Sequence, residues 1–426
     1  MNGKEQIYRD YIRILREELV PAMGCTEPIA VAYAAARCRD ILGAMPERCC
    51  LTVSGNLIKN VKSVIVPNTG GLKGLEASVA AGVVAGDAEA MLEVVAKITP
   101  DQQPKIKEYL DTHEIRIELA NTEETFYLDL QMWAGEHTAR LLILGYHTNI
   151  VFTERDGEIL FRSGASNVGE TGLTDRSILN VQDIVTFAET VDLEEVRDVL
   201  ERQIEYNCAI AEEGLQGQWG AQVGKTLMRL YDCASPEIRA RAYAAAGSDA
   251  RMSGCNMPVV IVSGSGNQGM TASLPVVVFA REKNASHEAL LRALVVSNLV
   301  TIQQKTGIGR LSAFCGAVSA GCGAAAGIAF LDGGRYREIA HTIVNALAVV
   351  SGITCDGAKP SCAAKIASAV DAGILGYRLF QNGQQFYAGD GIVTKGVDHT
   401  IENVGRMARI GMRETDREIL KIMIGQ

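Results

Sequence analysis

The chain predicts an α+β fold, with a large helical C-terminal domain that carries the candidate site and a smaller α+β domain containing a mainly antiparallel sheet. Three observations predict it. Between residues 48 and 180, short runs alternate apolar with polar residues and are separated by turn pairs, as the strands of a meander are. From residue 181 onward, apolar positions recur at helical spacing or run through Ala/Gly-rich stretches, with no further hairpin signal. Ahead of the first strand stand two helical segments, so the expected divisions are 1–47, 48–180 and 181–426, with the N-terminal helices packing on the helical domain.

Each element has its own signal. In residues 4–20, Ile7, Tyr11, Ile14, Leu15 and Leu19 fall on one face with charges between them, and Pro21 and Gly24 end the helix. A second helix opens near Pro28, since proline is tolerated in a first turn, and runs to Leu42. Leu51–Val53 and Val61–Val66 are expected strands, and residues 74–97 one or two Ala-rich helices. Ile115–Leu119, Phe126–Leu130, residues 138–153 and Ile159–Phe161 complete the meander, with turns at Asn121-Thr122 and Asp156-Gly157. Ala313–Leu331 comes nearest to a membrane span, but its small residues suit a tightly packed buried helix, and no uninterrupted apolar run reaches the ~20 residues a span needs.

Composition narrows the function. The chain has 426 residues, 47% of them hydrophobic and 21% charged, enough for an ample core. A net charge of −9 without any Lys/Arg cluster, and an aromatic content of 5%, argue against nucleic acid as partner. The start, Met1-Asn2-Gly3-Lys4-Glu5-Gln6, lacks the basic-then-apolar form of a signal peptide, so a reducing cytoplasm is expected. There, eleven cysteines do not form a disulfide framework.

Four of those cysteines form two equally spaced pairs, Cys315 with Cys322 and Cys355 with Cys362. A helix would hold residues seven apart at roughly 10 Å, too far to share a small metal centre. Gly357 and Pro360 break the helix between Cys355 and Cys362, whereas Gly316–Gly321 permits one; if it forms, only one of Cys315 and Cys322 joins the centre. Thiolates on a Gly/Pro loop suit an iron–sulfur cluster or zinc.

Other motifs are weaker. Gly264-Ser265-Gly266-Asn267-Gln268-Gly269 has the spacing of a dinucleotide loop, but Pro275 follows closely and no βαβ unit surrounds it. Its N–H groups, with Asn267 and Gln268, instead suit a small carboxylate. Gly220–Thr226 falls one residue short of a phosphate-binding loop, and neither a zinc-hydrolase nor a serine-hydrolase signature is present. In Gly24-Cys25-Thr26-Glu27-Pro28 a thiol precedes a helix, where the dipole favours thiolate.

Taken together, Gly24–Pro28, Ser54-Gly55-Asn56, Gly264–Gly269, Leu311-Ser312-Ala313-Phe314-Cys315-Gly316 and Cys355-Asp356-Gly357-Ala358-Lys359 resemble the L-cysteine desulfidase family, in order and across nearly the whole chain. That family is related to the alpha region of iron–sulfur L-serine dehydratases. The resemblance implies an oxygen-sensitive [4Fe–4S] cluster held by Cys315, Cys355 and Cys362, with Cys322 a helical neighbour. It implies a lyase, independent of pyridoxal phosphate, that eliminates sulfide from L-cysteine and leaves pyruvate and ammonia. Cys25 is then the candidate base for the Cα proton, and Gly264, Gly266, Asn267 and Gln268 hold the substrate carboxylate. Ser54, Asn56 and Thr69 are lesser candidates, and Lys359 offsets cluster charge or touches substrate. L-Serine dehydration on the same cluster and a non-catalytic iron–sulfur sensor are the alternatives. The expected partner is an amino acid, with no nucleic acid and no membrane, and a homo-oligomer, most simply a dimer, is the expected assembly.

Overall fold

The computed structural model describes residues 3–163 and 173–425, so part of the expected 48–180 division (164–172) lies outside the described residues. In chain order the first elements are α1 (Gly3–Glu18), β1 (Pro21–Met23), α2 (Thr26–Leu42), β2 (Arg48–Val53), α3 (Gly55–Val61), α4 (Gly74–Ala85) and α5 (Gln103–Thr112). The strands β3 (Glu114–Leu119), β4 (Tyr127–Ala134), β5 (His137–Leu144), β6 (Ile150–Arg155) and β7 (Glu158–Arg162) follow. After them come α6 (Val181–Thr190), α7 (Arg197–Gln216), α8 (Val223–Leu230), α9 (Pro236–Met252), β8 (Pro258–Val260), α10 (Gly266–Glu282) and α11 (His287–Ile308). The chain ends with α12 (Gly316–Leu331), α13 (Tyr336–Val349), α14 (Cys362–Gln381), α15 (Val397–Arg406) and α16 (Arg413–Ile424).

The fold is α+β, as the sequence predicts. Six strands form one sheet in the order β3-β2-β4-β5-β6-β7, antiparallel throughout except for the parallel β2–β3 pair. Alternation sets its inner face: Leu128, Leu130 and Met132 of β4 and Ala139, Leu141 and Ile143 of β5 are all buried. Together with α2 and α4 they form one apolar core, and a second, larger core lies among α6, α7 and α9–α15.

Three elements differ from expectation. The helix α1 packs on the helical core through Tyr11, Ile14 and Leu15, but α2, expected beside it, packs on the sheet instead. Every residue from Ile29 to Ala36 is buried, so no polar stripe marks which side the helix faces. The expected strand Val61–Val66 is not one; α3 takes Gly55–Val61, with Leu57, Asn60 and Val61 buried at helical spacing. Finally, α10 runs through Pro275 to Glu282, because almost its whole length is enclosed and packing outweighs the lost backbone bond.

A small second sheet positions the site. β1 pairs antiparallel with β8, Pro21 opposite Val260 and Met23 opposite Pro258, which brings the start of α2 to the start of α10. Thr26 Oγ1 then donates to the Gly264 carbonyl at 2.8 Å.

Candidate functional site

Four helices point their N-termini at one place: Cys25 precedes α2, Ser265 precedes α10, Cys315 precedes α12, and Cys362 opens α14. All four of these residues line a cavity of about 100 Å³, together with Cys355, Asn267 and Gln268. Each terminus presents N–H groups without helical acceptors and the positive end of a helix dipole, so the cavity is built for negative charge.

Small residues make this convergence possible. A Cβ on Gly321 would sit 2.4 Å from the Ala369 carbonyl, and one on Gly373 would sit 2.3 Å from the Gly321 carbonyl, so α12 and α14 lie in backbone contact with their N-termini at one end. The loops before them are tied by a short antiparallel bridge: the Cys315 N–H donates to Ile353 O at 2.8 Å and the Cys355 N–H to Ala313 O at 2.6 Å. That ladder places Cys315 beside Cys355. Gly357, at φ +94°, passes so close to Lys59 that a Cβ would lie 2.2 Å from the Lys59 carbonyl. Gly357→Ala is therefore expected to displace the Cys355–Cys362 loop. A lower melting temperature together with reduced iron retention checks this.

The three cysteines share a feature that Cys25 lacks: a backbone N–H beside each sulfur favours its charged form, Ala317 for Cys315, Gly357 for Cys355 and Lys359 for Cys362, while the Cys362 thiol also lies 3.7 Å from the Gly357 carbonyl. Cys315 also donates its proton to Cys355. That bond holds Cys355 well below the usual thiol range, with Lys59 and Lys365 adding to it, and holds Cys315 above that range. Burial pushes Cys362 up, and the Lys359 N–H partly offsets this. Cys25 is a correction to the sequence reading. It stands at the N-terminus of α2, but enclosure pushes its thiol up to about 12, and the nearby Arg251 does not compensate. Its Sγ packs on Met252 Sδ at 3.8 Å. Desolvation here outweighs the helix dipole. Cys322, inside α12, is buried facing the Ile343 carbonyl at 3.8 Å and does not line the cavity.

The remaining predicted residues divide. Asn267 accepts from Arg251 Nη1 at 3.1 Å, and Gln268 Oε1 is buried without a partner. Gly266 is needed because Arg251 Nε would lie 2.5 Å from any Cβ there. Gly264 is a left-handed turn residue that holds Thr26 through its carbonyl. Ser54 and Asn56 line a different cavity of about 550 Å³, between α3 and α16, and the Ser54 hydroxyl donates to Thr125 O at 2.9 Å. Thr69 is a buried turn residue whose hydroxyl caps Val66 O at 2.7 Å. Lys359 folds back onto its own loop, donating to Asp356 O at 2.9 Å and Gly357 O at 3.2 Å, so it braces that loop and does not reach into the cavity.

Four charged residues that sequence reasoning missed complete the walls: Glu27, Arg251, Lys305 and Arg310. The Glu27 carboxyl is enclosed, which pushes it up; Asn60 Nδ2 donates to it at 3.3 Å, and it shares the Thr26 hydroxyl, 3.0 Å away, with the Gly264 carbonyl. Of the four, Lys305 carries a signal in the sequence, a lone charge that ends the uncharged stretch 293–304.

Among the described residues, no three Cys, His, Asp or Glu side chains gather tightly enough to hold a single ion. The thiols stand instead around a cavity, each served by an N–H, with Gln268 Oε1 and Arg251 Nε buried and unpartnered beside them. That donor set fits a thiolate-held iron–sulfur cluster with a small polar molecule next to it.

Residues 89–421 match the family model described as serine dehydratase alpha chain, and the chain belongs to that family. It is 56% identical to a UPF0597 protein of Desulfitobacterium hafniense, over 100% of this chain and 99% of the relative. UPF0597 proteins of Treponema denticola (47% identical, 98% of each chain) and Lachnoclostridium phytofermentans (49% identical, 98% of this chain and 100% of the relative) are similar along their whole length. Among the described residues no helix is long and apolar enough to cross a membrane.

Proposed function

We propose that the protein is a [4Fe–4S]-dependent carbon–sulfur lyase that eliminates sulfide from L-cysteine, leaving aminoacrylate that hydrolyses to pyruvate and ammonia. The observation that carries this reading is the three-cysteine set, Cys315, Cys355 and Cys362, each with its own N–H donor on the wall of one cavity at converging helix N-termini. These are the residues that would hold the cluster. When bound, a cluster with only three protein thiolates supplies a Lewis-acidic iron open to the substrate's sulfur.

The chain's own residues do the rest. Arg251, Asn267 and Gln268, with the first-turn N–H groups of α10, offer donors for the substrate carboxylate, and fixing that group favours charge development at Cα. Cys25, kept protonated by burial, contributes a fourth sulfur facing the same space. A cytoplasmic homodimer belongs to this reading. L-Serine dehydration is the second reading, favoured by the match to the serine dehydratase alpha chain.

Anaerobically reconstituted protein should release pyruvate from both amino acids in separate assays, with the higher kcat/KM for L-cysteine and stoichiometric sulfide. An equal or higher value for L-serine would reassign the substrate. No pyruvate from either, with iron and sulfide fully loaded, would remove the lyase reading.

A further inference from the structure

Lys305 lies at the C-terminal end of α11 and is buried, with 4% of its surface exposed. It forms part of the wall of the cysteine-lined cavity and also of an adjoining cavity of about 150 Å³, shared with Glu18, Arg176, Thr306 and Arg310. Among the described residues its amine makes one long hydrogen bond, to the Arg310 carbonyl at 3.4 Å, and has no carboxylate within ion-pair distance. A buried lysine without a close counter-ion is an unusual thing for a fold to retain unless the amine is used.

Building on the lyase reading above, we propose that Lys305 is the base that removes the Cα proton of the bound amino acid. The competing groups in the cavity suit the task less well. Cys25 is locked as a thiol and packed on Met252. Glu27 already accepts from Thr26 and Asn60. The charged groups facing Lys305 are Cys355 and Cys315 from the two bridged loops, Arg310 from the loop after its own helix, and Glu27 from α2. Burial is the largest influence and brings the amine down to about 8, so that about a tenth of it is neutral at pH 7 and about half at pH 8.

The step balances without a further reactant. The Lys305 nitrogen takes the Cα proton, and the Cα–H electron pair becomes the Cα=Cβ bond. The Cβ–S pair leaves with the sulfur as hydrosulfide. The ammonium then releases its proton toward the adjoining cavity, on the side away from the substrate.

The test uses full-length, anaerobically reconstituted protein. Wild-type kcat/KM is expected to rise with pH as the Lys305 amine gives up its proton, and then to level off. Lys305→Met should lower kcat by about 10²–10⁴-fold with KM little changed, and added methylamine should partly restore it. Lys305→Arg keeps the charge but offers no neutral amine, and should be as slow. Cluster-free wild-type protein, reductively ¹³C-methylated, should show, besides the N-terminal α-amine, one lysine resonance titrating near pH 8 that is missing in Lys305→Met.

A Lys305→Arg variant with wild-type kcat overturns the assignment, as does a wild-type spectrum with no lysine amine titrating near that pH. If wild-type protein turns over and Lys305→Met shares its rate and pH profile, the base assignment alone fails. If loaded wild-type protein converts neither amino acid, the lyase reading fails and the base goes with it.

Discussion

Cys355→Ser and Cys362→Ser proteins, reconstituted anaerobically beside wild type, are expected to lose at least about tenfold in retained iron and to have no measurable turnover. A serine hydroxyl is a harder and far less readily ionised donor than a thiol, so the substitution removes a soft ligand while leaving volume nearly unchanged. The surrounding N–H groups sharpen the effect. The Gly357 and Lys359 donors are arranged for sulfur, and lysines at 59 and 365 are placed to favour a negative charge at Cys355. Cys322→Ser should retain iron as wild type does, because that side chain is directed at the Ile343 carbonyl and away from the cavity. Iron and acid-labile sulfide determinations on the three variants and Cys315→Ser decide the matter. Iron lost from Cys322→Ser but kept by Cys315→Ser would show that the wrong member of that pair had been chosen.

That Cys315 and Cys322 could not both face one place was legible in the sequence, since Gly316–Gly321 permits a helix and a helix separates its seventh residue too far to share a centre; which of the two does so was not. The loop through Gly357 and Pro360 was legible for the same reason, a break in periodicity between two thiols. Strands with clean alternation, such as those from Ile115 to Phe161, also followed from pattern alone. What failed was every inference that depended on surroundings. The dipole argument made Cys25 a thiolate, yet a thiol walled in by Met252, Val64 and Cys362 loses more to desolvation than a helix terminus returns. The strand expected at Val61–Val66 overlooked Leu57, Asn60 and Val61, whose helical spacing won. The partner of α2 was illegible because a helix buried on all sides carries no facing signal.

The charged walls show the limit most clearly. Glu27, Arg251 and the Lys305–Arg310 stretch come from three separate segments, and nothing in local spacing says that they meet. They meet because β1 pairs with β8 and because glycines let α12 approach α14, both long-range facts. Ser54 and Asn56, by contrast, matched a motif but line a separate cavity, and the turn residue Thr69 caps Val66 O.

Lys305→Met is expected to stabilise cluster-free protein at neutral pH by up to about 3 kcal/mol, while it removes activity. Burial brings the amine from 10.5 to about 8, so below pH 8 the folded protein must keep an ammonium in a poorly solvated place that the unfolded chain leaves in water. The destabilisation is therefore complete below about pH 8. It shrinks as pH rises to about 10.5, where the folded amine is already neutral and the unfolded one still binds a proton, and it vanishes above that. Methionine is of similar length and makes no such demand. Urea unfolding of wild type and variant at a series of pH values should show the largest gap at neutral pH, closing under alkaline conditions. A lysine retained for structure would behave oppositely, since removing it would cost stability. A variant less stable than wild type at neutral pH, or a gap insensitive to pH, would mean that the buried amine helps hold the fold. The predicted gain reflects a group that the fold keeps against its own stability, as sites of chemistry commonly do.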